Sequence, residues 1–284
     1  MCNQSDQIRV LIVLNGHRKI DFTQLKSQLK QWPIKIDIIE SSPGLAAARN
    51  VALTKLSGEI VTFLDDDVLL PETYFTEVDQ AFVLYPEIEG LSPRIKGLYS
   101  GTSALRNRFK LGSSKYGRVT RNGENYWVPD TFSEVTTKVQ WLPGCSMTYR
   151  ISAIGGKRFS EELMLGPTGG YSLGEDVDFS FQFNKLVALN VISIDHIQAA
   201  SVRDNSLLMA EARGRWNVFL ARKYPKKVKI IYSAFYCLSS IAYFGIRSLI
   251  TKGEFNELCK QRLIQMRGFI QEVFNPKLVS SKNV

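Results

Sequence analysis

Cysteine and histidine are scarce in this chain. Its 284 residues include four cysteines and two histidines. The cysteines (Cys2, Cys145, Cys237 and Cys259) stand far apart and form no CxxC pair, so neither a zinc site nor a disulfide framework is indicated. This pattern of cysteine use favours a reducing, cytoplasmic compartment.

Long hydrophobic runs are also rare. The first twenty residues lack the cationic region of a signal peptide, and the apolar run at 10–14 is too short for one. The most apolar stretch, at 228–250, contains seventeen uncharged residues from 230 to 246, just short of a membrane-spanning segment. A secreted chain and an ordinary membrane-spanning chain are therefore both disfavoured.

The excess positive charge lies at one end of the chain. The net charge is +9, and residues 203–284 alone hold fifteen Lys/Arg against five Asp/Glu, so residues 1–202 are nearly neutral. A basic tail indicates an anionic partner, which is a nucleic acid, a lipid surface or a phosphorylated substrate. Composition does not choose among the three.

The N-terminal third alternates strand and helix patterns. Strands are predicted at 8–14, 34–39 and 60–64, and helices at 21–31, 45–56 and 71–85. This order predicts an α/β fold with a mostly parallel central sheet flanked by helices. Ligands bind such sheets at the carboxyl ends of the strands.

Further along, the patterns are less regular. Residues 97–140 are predicted to be a long, basic excursion, which is usually functional or disordered. A helix is predicted at 177–186 and a short strand at 191–194. We expect a catalytic domain over 1–202, with halves at about 1–96 and 97–202, and a C-terminal extension over 203–284.

Three adjacent carboxylates, Asp65, Asp66 and Asp67, follow the predicted strand at 60–64. Such a run costs stability unless a cation or hydrogen-bond donors balance it. Carboxylate oxygens at a strand end can hold a hard divalent metal, which in turn can hold a diphosphate. A solvated acidic turn is the alternative, but the strand before the run and the Pro-started helix after it favour a pocket mouth.

Three other side chains admit both a functional and a structural interpretation. Asp176, after Glu175, suits a general base, although acidic residues also cap helix N-termini. Arg49 suits a phosphate or a carboxylate, yet a solvated helix face is an equal alternative. His196 is a potential metal ligand, although a lone histidine is more often structural.

Four segments together resemble the family 2 glycosyltransferases, inverting enzymes of the GT-A fold that include many bacterial polysaccharide enzymes. These segments are 42–50 (SPGLAAARN), 60–71 (IVTFLDDDVLLP), 141–150 (WLPGCSMTYR) and 170–182 (GYSLGEDVDFSFQ). Their order and spacing are similar to the family's over roughly residues 8–200. The resemblance implies a nucleotide-sugar donor, a divalent cofactor (Mn²⁺ or Mg²⁺) and a glycan or lipid-linked acceptor.

The resemblance also implies site roles on matching positions. Asp67 would ligate the metal, with Asp65 on the metal or the nucleotide ribose and His196 as a further ligand. Asp176 would be the general base that takes the proton of the acceptor hydroxyl. The donor would be contacted by the remaining matched residues, which are Glu40, Arg49, Asn50, Asp66 and Glu175. The nucleotide stays open, because residues 40–42 (ESS) differ from the family pattern.

The tail has its own pattern. Small polar and phenolic residues and one arginine form a narrow stripe on the apolar 228–250 segment, at Ser233, Tyr236, Ser240, Tyr243 and Arg247. With the lysines before it, this pattern suits a helix on an anionic membrane leaflet, whereas a core or dimer helix is the alternative. We therefore expect a peripheral protein on the cytoplasmic face of the membrane, with the oligomeric state open.

Two other function classes compete with glycosyl transfer. A metal-dependent nucleotidyltransferase also uses carboxylates on a related sheet, and residues 15–19 (NGHRK) are its faint phosphate-loop candidate. A nucleic-acid-binding protein would use the basic tail and its aromatics, Trp216, Tyr224, Tyr232 and Phe235. We expect no nucleic-acid partner, because the acidic pocket would repel phosphates.

Overall fold

The computed structural model describes residues 8–16, 27–96, 116–129, 134–165, 171–197, 206–251 and 256–276. The strands are β1 (Arg9–Asn15), β2 (Lys35–Ser41), β3 (Ile60–Leu64), β4 (Val68–Leu69), β5 (Gly90–Lys96), β6 (Arg118–Val119), β7 (Asn125–Tyr126), β8 (Thr136–Val139), β9 (Ser146–Arg150), β10 (Met164–Leu165), β11 (Tyr171–Ser172) and β12 (Leu186–His196). The helices are α1 (Leu45–Leu53), α2 (Tyr74–Leu84), α3 (Ile151–Ile154), α4 (Glu175–Ser180), α5 (Ser206–Lys223), α6 (Ile230–Ile250) and α7 (Asn256–Phe274).

A six-stranded sheet forms the centre of the fold. Its strand order is β3-β9-β5-β12-β4, and β8 also pairs with β12. Strands β1 and β2 form a separate parallel pair, with Val13 opposite Ile39. The α/β class, with a central sheet flanked by helices and a C-terminal helical part, is confirmed.

Strand directions differ from the expected mostly parallel sheet. In the described part of the six-stranded sheet, only β5 and β12 run parallel, whereas β9 is antiparallel to both β3 and β5. Strands β4 and β8 are also antiparallel to β12. A helix that joins two strands of one sheet makes those strands parallel. Strands and helices stop alternating after β5, so nothing of this kind sets the direction of the strands that follow.

Two element boundaries in the second half were predicted wrongly. The helix expected at 177–186 is α4, which spans only Glu175–Ser180, and the residue expected to end it, Leu186, begins β12. The strand expected at 191–194 is the latter part of β12, an eleven-residue strand. Phe179, Phe183 and Leu186 are buried, as the predicted helix implied. Phe179 lies in α4, Phe183 in the segment that follows and Leu186 in β12. The helix expected at 21–31 lies mostly outside the described residues, with 27–29 helical.

The C-terminal helix α5 belongs to the same core as the sheet. Trp216, Phe219 and Leu220 are buried in one cluster with Tyr149 of β9 and Phe179 of α4. Helices α5 and α7 also approach closely through glycines, since a Cβ on Gly214 would meet the backbone of α7. The division at 202/203 stays a prediction, and the packing described here is continuous between the sheet and α5.

Candidate active site

The acidic run lies where β3 leaves the sheet. The backbone N–H of Asp65 donates to the carbonyl of Cys145 at 3.2 Å, which holds the end of β3 beside the start of β9. The carbonyl of Asp67 accepts from the N–H of Ile197 at 2.8 Å, and His196 pairs with Val68. The β4–β12 register therefore brings His196, distant in sequence, beside the acidic run.

Asp65, Asp67 and His196 form a candidate metal site. One ligand atom from each lies within 4.8 Å of the other two, and Nε2 of His196 is 3.0 Å from Oδ1 of Asp67. Nδ1 of His196 is buried without a hydrogen-bond partner. Two carboxylates and one imidazole suit a hard or borderline divalent ion. Asp66 is exposed and is not part of this cluster.

Arg49 of α1 connects the acidic run to α4. Only 5% of it is exposed, and its guanidinium lies 2.8 Å from Oε1 of Glu175 and 3.3 Å from Oδ1 of Asp65. The same group donates to the carbonyl of Gly144 at 2.8 Å and lies over the ring of Phe159 at 5.5 Å. Arg49 is thus enclosed by carboxylates and an aromatic ring, which differs from the solvated helix face considered above.

Asp176 lies in the first turn of α4, where helix N–H groups favour a carboxylate. Its Oδ2 accepts from the N–H of Gly144 at 3.0 Å, and its Oδ1 accepts from the N–H of Val177 at 2.8 Å. Burial, with a further contribution from the adjacent Glu175 carboxylate, raises the pKa of Asp176 to about 7. A carboxylate with a pKa near neutrality is suited to accept a proton at physiological pH.

Gly144 connects the two halves of the site through its backbone. Its carbonyl accepts from Arg49, and its N–H donates to Asp176. A Cβ at this position would lie 3.2 Å from Nη2 of Arg49 and 3.5 Å from Cβ of Asp176, so a side chain there would crowd both.

Burial also raises the pKa of Asp65, and the Arg49 guanidinium opposes that rise.

Two predicted donor-binding residues lie outside this network. Glu40 is exposed, one residue before the end of β2. The amide of Asn50 exchanges hydrogen bonds of 2.9 Å with both backbone groups of Phe159 and donates to Glu161 at 2.8 Å. Asn50 therefore fixes the segment that carries Phe159, the ring beneath Arg49, and its contact with a donor stays a prediction.

A cavity of about 790 Å³ lies on the other side of α1. Its walls include Ala47, Asn50 and Thr54 of the helix, with Arg158 and Lys223 across from them. Arg49 does not line the cavity, but Phe159, whose ring lies under Arg49, does.

Asp178 is a second carboxylate with a defined environment, and its role was not predicted from the sequence. Asp178 is fully buried and pairs with Nζ of Lys223 at 2.7 Å. It also accepts from Ser160 at 2.6 Å and from the Tyr224 hydroxyl at 2.9 Å. This cluster fastens the end of α5 to α4, the helix that carries Asp176. The sequence shows three acidic residues close together, Glu175, Asp176 and Asp178. It does not show which residues their side chains bind.

Comparison with known proteins assigns the chemistry. Residues 1–125 match the family model described as glycosyl transferase family 2, which includes α1 and the whole acidic run. This chain is a glycosyltransferase. The family and the fold both support transfer from a nucleotide-sugar donor. No curated protein matches the sequence at a significant level.

Solved structures with a similar fold include other glycosyltransferases. The mannosyltransferase PcManGT from Pyrobaculum calidifontis, in complex with GDP-Man and Mn²⁺, has a TM-score of 0.50 and 12% identity over 94% of this chain and 78% of that one. TarS 1–349 from S. aureus has a TM-score of 0.47 and 18% identity over 94% of this glycosyltransferase and 72% of that chain. Glucosyl-3-phosphoglycerate synthase from Mycobacterium tuberculosis has a TM-score of 0.41 and 14% identity, covering 75% of this chain and 68% of that one.

Proposed function

We propose that this glycosyltransferase moves a sugar, with inversion, from a nucleotide-sugar to a hydroxyl of a glycan or lipid-linked acceptor in cell-surface polysaccharide synthesis. The observation that supports it is a single, partly buried network: Arg49 bonds Asp65 of the candidate metal site, and Gly144 joins Arg49 to Asp176. A donor site at the end of β3 and a proton acceptor in the first turn of α4 are the two parts that such a transfer needs.

The donor half consists of Asp65, Asp67 and His196, which would hold Mn²⁺ or Mg²⁺. Such an ion, when bound, neutralises charge that develops on the leaving diphosphate. The mannosyltransferase of similar fold binds GDP-Man and Mn²⁺, which supports a nucleoside diphosphate sugar with one of these two ions here. Exposed Asp66 and Glu40 remain available to contact the nucleotide.

The acceptor half centres on Asp176. In the proposed step, Asp176 takes the proton of the acceptor hydroxyl while the hydroxyl oxygen forms a bond to the anomeric carbon. The bond from that carbon to the diphosphate breaks, and its electron pair leaves with the nucleoside diphosphate. A single displacement from the opposite face inverts the anomeric configuration. General-base action of this kind contributes roughly 10²–10⁴-fold to the rate.

The competing functions have less support. The match of residues 1–125 to glycosyl transferase family 2 favours glycosyl transfer over a nucleotidyltransferase. Residues 17–19 of the candidate phosphate loop lie outside the described residues. Two of the four tail aromatics suggested for nucleic-acid stacking are already engaged, since Trp216 is 2% exposed and the Tyr224 hydroxyl donates to Asp178. We therefore propose that the chain acts without nucleic acid.

The test is a thermal-shift screen of nucleotide-sugars with Mn²⁺ or Mg²⁺, followed by product analysis with the donor that stabilises the chain. Glycosyl transfer predicts a metal-dependent shift and release of a nucleoside diphosphate. Release of pyrophosphate would instead identify a nucleotidyltransferase. The absence of any metal-dependent shift across the screen would refute the proposed donor site.

A further inference from the structure

Helix α6 exposes most of its large apolar residues and buries several of its small polar ones. Its exposed large hydrophobic side chains are Ile230, Ile231, Tyr232, Phe235, Leu238, Ile246, Leu249 and Ile250. Its buried residues are Ser233, Tyr236, Cys237, Ser240 and Ser248. Exposed apolar patches on soluble proteins mark interaction surfaces, and this one extends along the whole helix.

The buried side of α6 is fixed by specific contacts. Ser233 donates to the carbonyl of Asn122 at 2.9 Å, and Arg262 of α7 lies over the Tyr236 ring at 5.3 Å. Ser248 bonds Asn256 at the start of α7. Ser233, Tyr236 and Ser240 of the polar stripe therefore face the protein, whereas Arg247 near the end of the helix is exposed. The exposed face that carries Phe235, Leu238 and Leu249 is apolar.

Positive charge borders the exposed face. Lys226 and Lys229 are exposed immediately before α6, next to the exposed Ile230 and Ile231. Residues 203–284 as a whole carry the excess positive charge of the chain. An apolar face edged by lysines matches an anionic lipid surface, where acyl chains receive the apolar groups and headgroups receive the charges.

The attached side of α6 indicates how the helix would meet a bilayer. Among the described residues, α6 is the one helix that is long and apolar enough to cross a membrane. In its most apolar 18-residue stretch, 22% of the residues are buried in the protein. A crossing would have to separate Ser233, Tyr236 and Ser240 from their buried positions. We propose that α6 lies in the plane of an anionic membrane leaflet, inserting the face that carries Phe235, Leu238 and Leu249.

A second copy of the chain fits this face less well. A dimer through α6 would bring together two tails of the same high positive charge, and such repulsion opposes association. An anionic leaflet has the opposite charge. The inference concerns membrane attachment alone and does not depend on the transfer chemistry.

Flotation of the full chain with vesicles tests the proposal. We expect the chain to float with vesicles containing phosphatidylglycerol and much less with pure phosphatidylcholine. Phe235→Ser with Leu249→Ser, at side chains 63% and 85% exposed, should lower the bound fraction at least tenfold. Lys226→Glu with Lys229→Glu should remove the preference for anionic vesicles.

The matched control is Val83→Ser with Leu84→Ser, two residues of α2 that are 75% and 71% exposed. It should float like the wild type, and circular dichroism should show all variants folded. Unchanged flotation of the α6 variant would overturn the proposal, as would a wild-type dimer that the α6 changes dissociate without any vesicle binding. Resistance of vesicle-bound chain to carbonate extraction would refute the in-plane orientation.

Discussion

Arg49 and Glu175 form a buried ion pair of 2.8 Å across 126 positions of sequence. Each side chain is 6% exposed, so water stabilises neither charge appreciably. Arg49 also bonds Asp65 and the Gly144 carbonyl. The pair therefore fixes α1, the acidic run and α4 relative to one another, and both halves of the candidate active site depend on it.

Replacing Arg49 by Gln should destabilise the protein strongly. Removing one partner of a buried ion pair leaves an uncompensated charge and costs about 3–5 kcal/mol. Urea unfolding monitored by circular dichroism measures this loss. The double variant with Glu175→Gln should recover part of it, because the buried carboxylate is then neutral.

The control for this change is Arg158→Gln. Arg158 is exposed and its guanidinium bonds the carbonyl of its neighbour Lys157, so its loss should change stability by less than about 0.5 kcal/mol. If Arg49→Gln were as stable as this control, the buried network would not hold the site together.

The pH dependence of turnover should reflect Asp176. Its pKa is raised to about 7 by burial and by Glu175, and only the ionised form can accept a proton. With the donor saturating, kcat should be constant above this pH and fall about tenfold for each pH unit below it. Asp176→Asn should lower kcat by roughly 10²–10⁴-fold while donor affinity stays near the wild-type value.

Rate measurements across pH 5 to 9, combined with donor binding by calorimetry, distinguish the outcomes. Wild-type turnover in Asp176→Asn would remove this residue from the mechanism. A rate that rises toward acid pH would do the same, because a base cannot gain activity by protonation.

Metal binding should depend on His196 and not on its neighbour. His196→Ala removes one of three candidate ligands and should weaken Mn²⁺ binding at least tenfold by calorimetry. Asp195→Ala is the matched control, since this adjacent carboxylate pairs with Lys96 at 2.9 Å and does not belong to the cluster. Equal Mn²⁺ affinities of the two variants would exclude His196 as a ligand.

Local patterns in the sequence predicted the first half of the fold. Strand β3 and the start of α1 agree with the prediction to the residue, because short apolar runs and an alanine-rich segment are determined locally. The acidic run lies at a strand end as expected. The antiparallel insertion of β9 was not predictable, since no helix between strands fixes its direction.

Contacts between residues far apart in the chain could not be predicted from local sequence patterns. The place of His196 beside Asp67 depends on the β4–β12 register, and the partner of Arg49 depends on how α4 meets α1. Helix α6 shows the same limit: its polar stripe was visible, but which side faces the protein depends on contacts such as that of Ser233 with Asn122.

Helices α5 and α7 meet through two glycines, Gly214 and Gly268, and this contact provides a test of how the C-terminal helices support the core. A Cβ on Gly214 would contact the Gln265 carbonyl and lie 2.6 Å from the Phe269 nitrogen. Gly214→Ala should therefore push the helices apart, and overpacking of this kind costs about 1–3 kcal/mol. A Cβ on Gly245 of α6 would lie 3.9 Å from Sγ of Cys259, an ordinary contact, so Gly245→Ala should stabilise the helix by up to about 1 kcal/mol. Thermal unfolding should thus show shifts of opposite sign for two identical substitutions in neighbouring helices. A Gly214→Ala variant as stable as Gly245→Ala would mean that α5 and α7 do not cross this closely in solution.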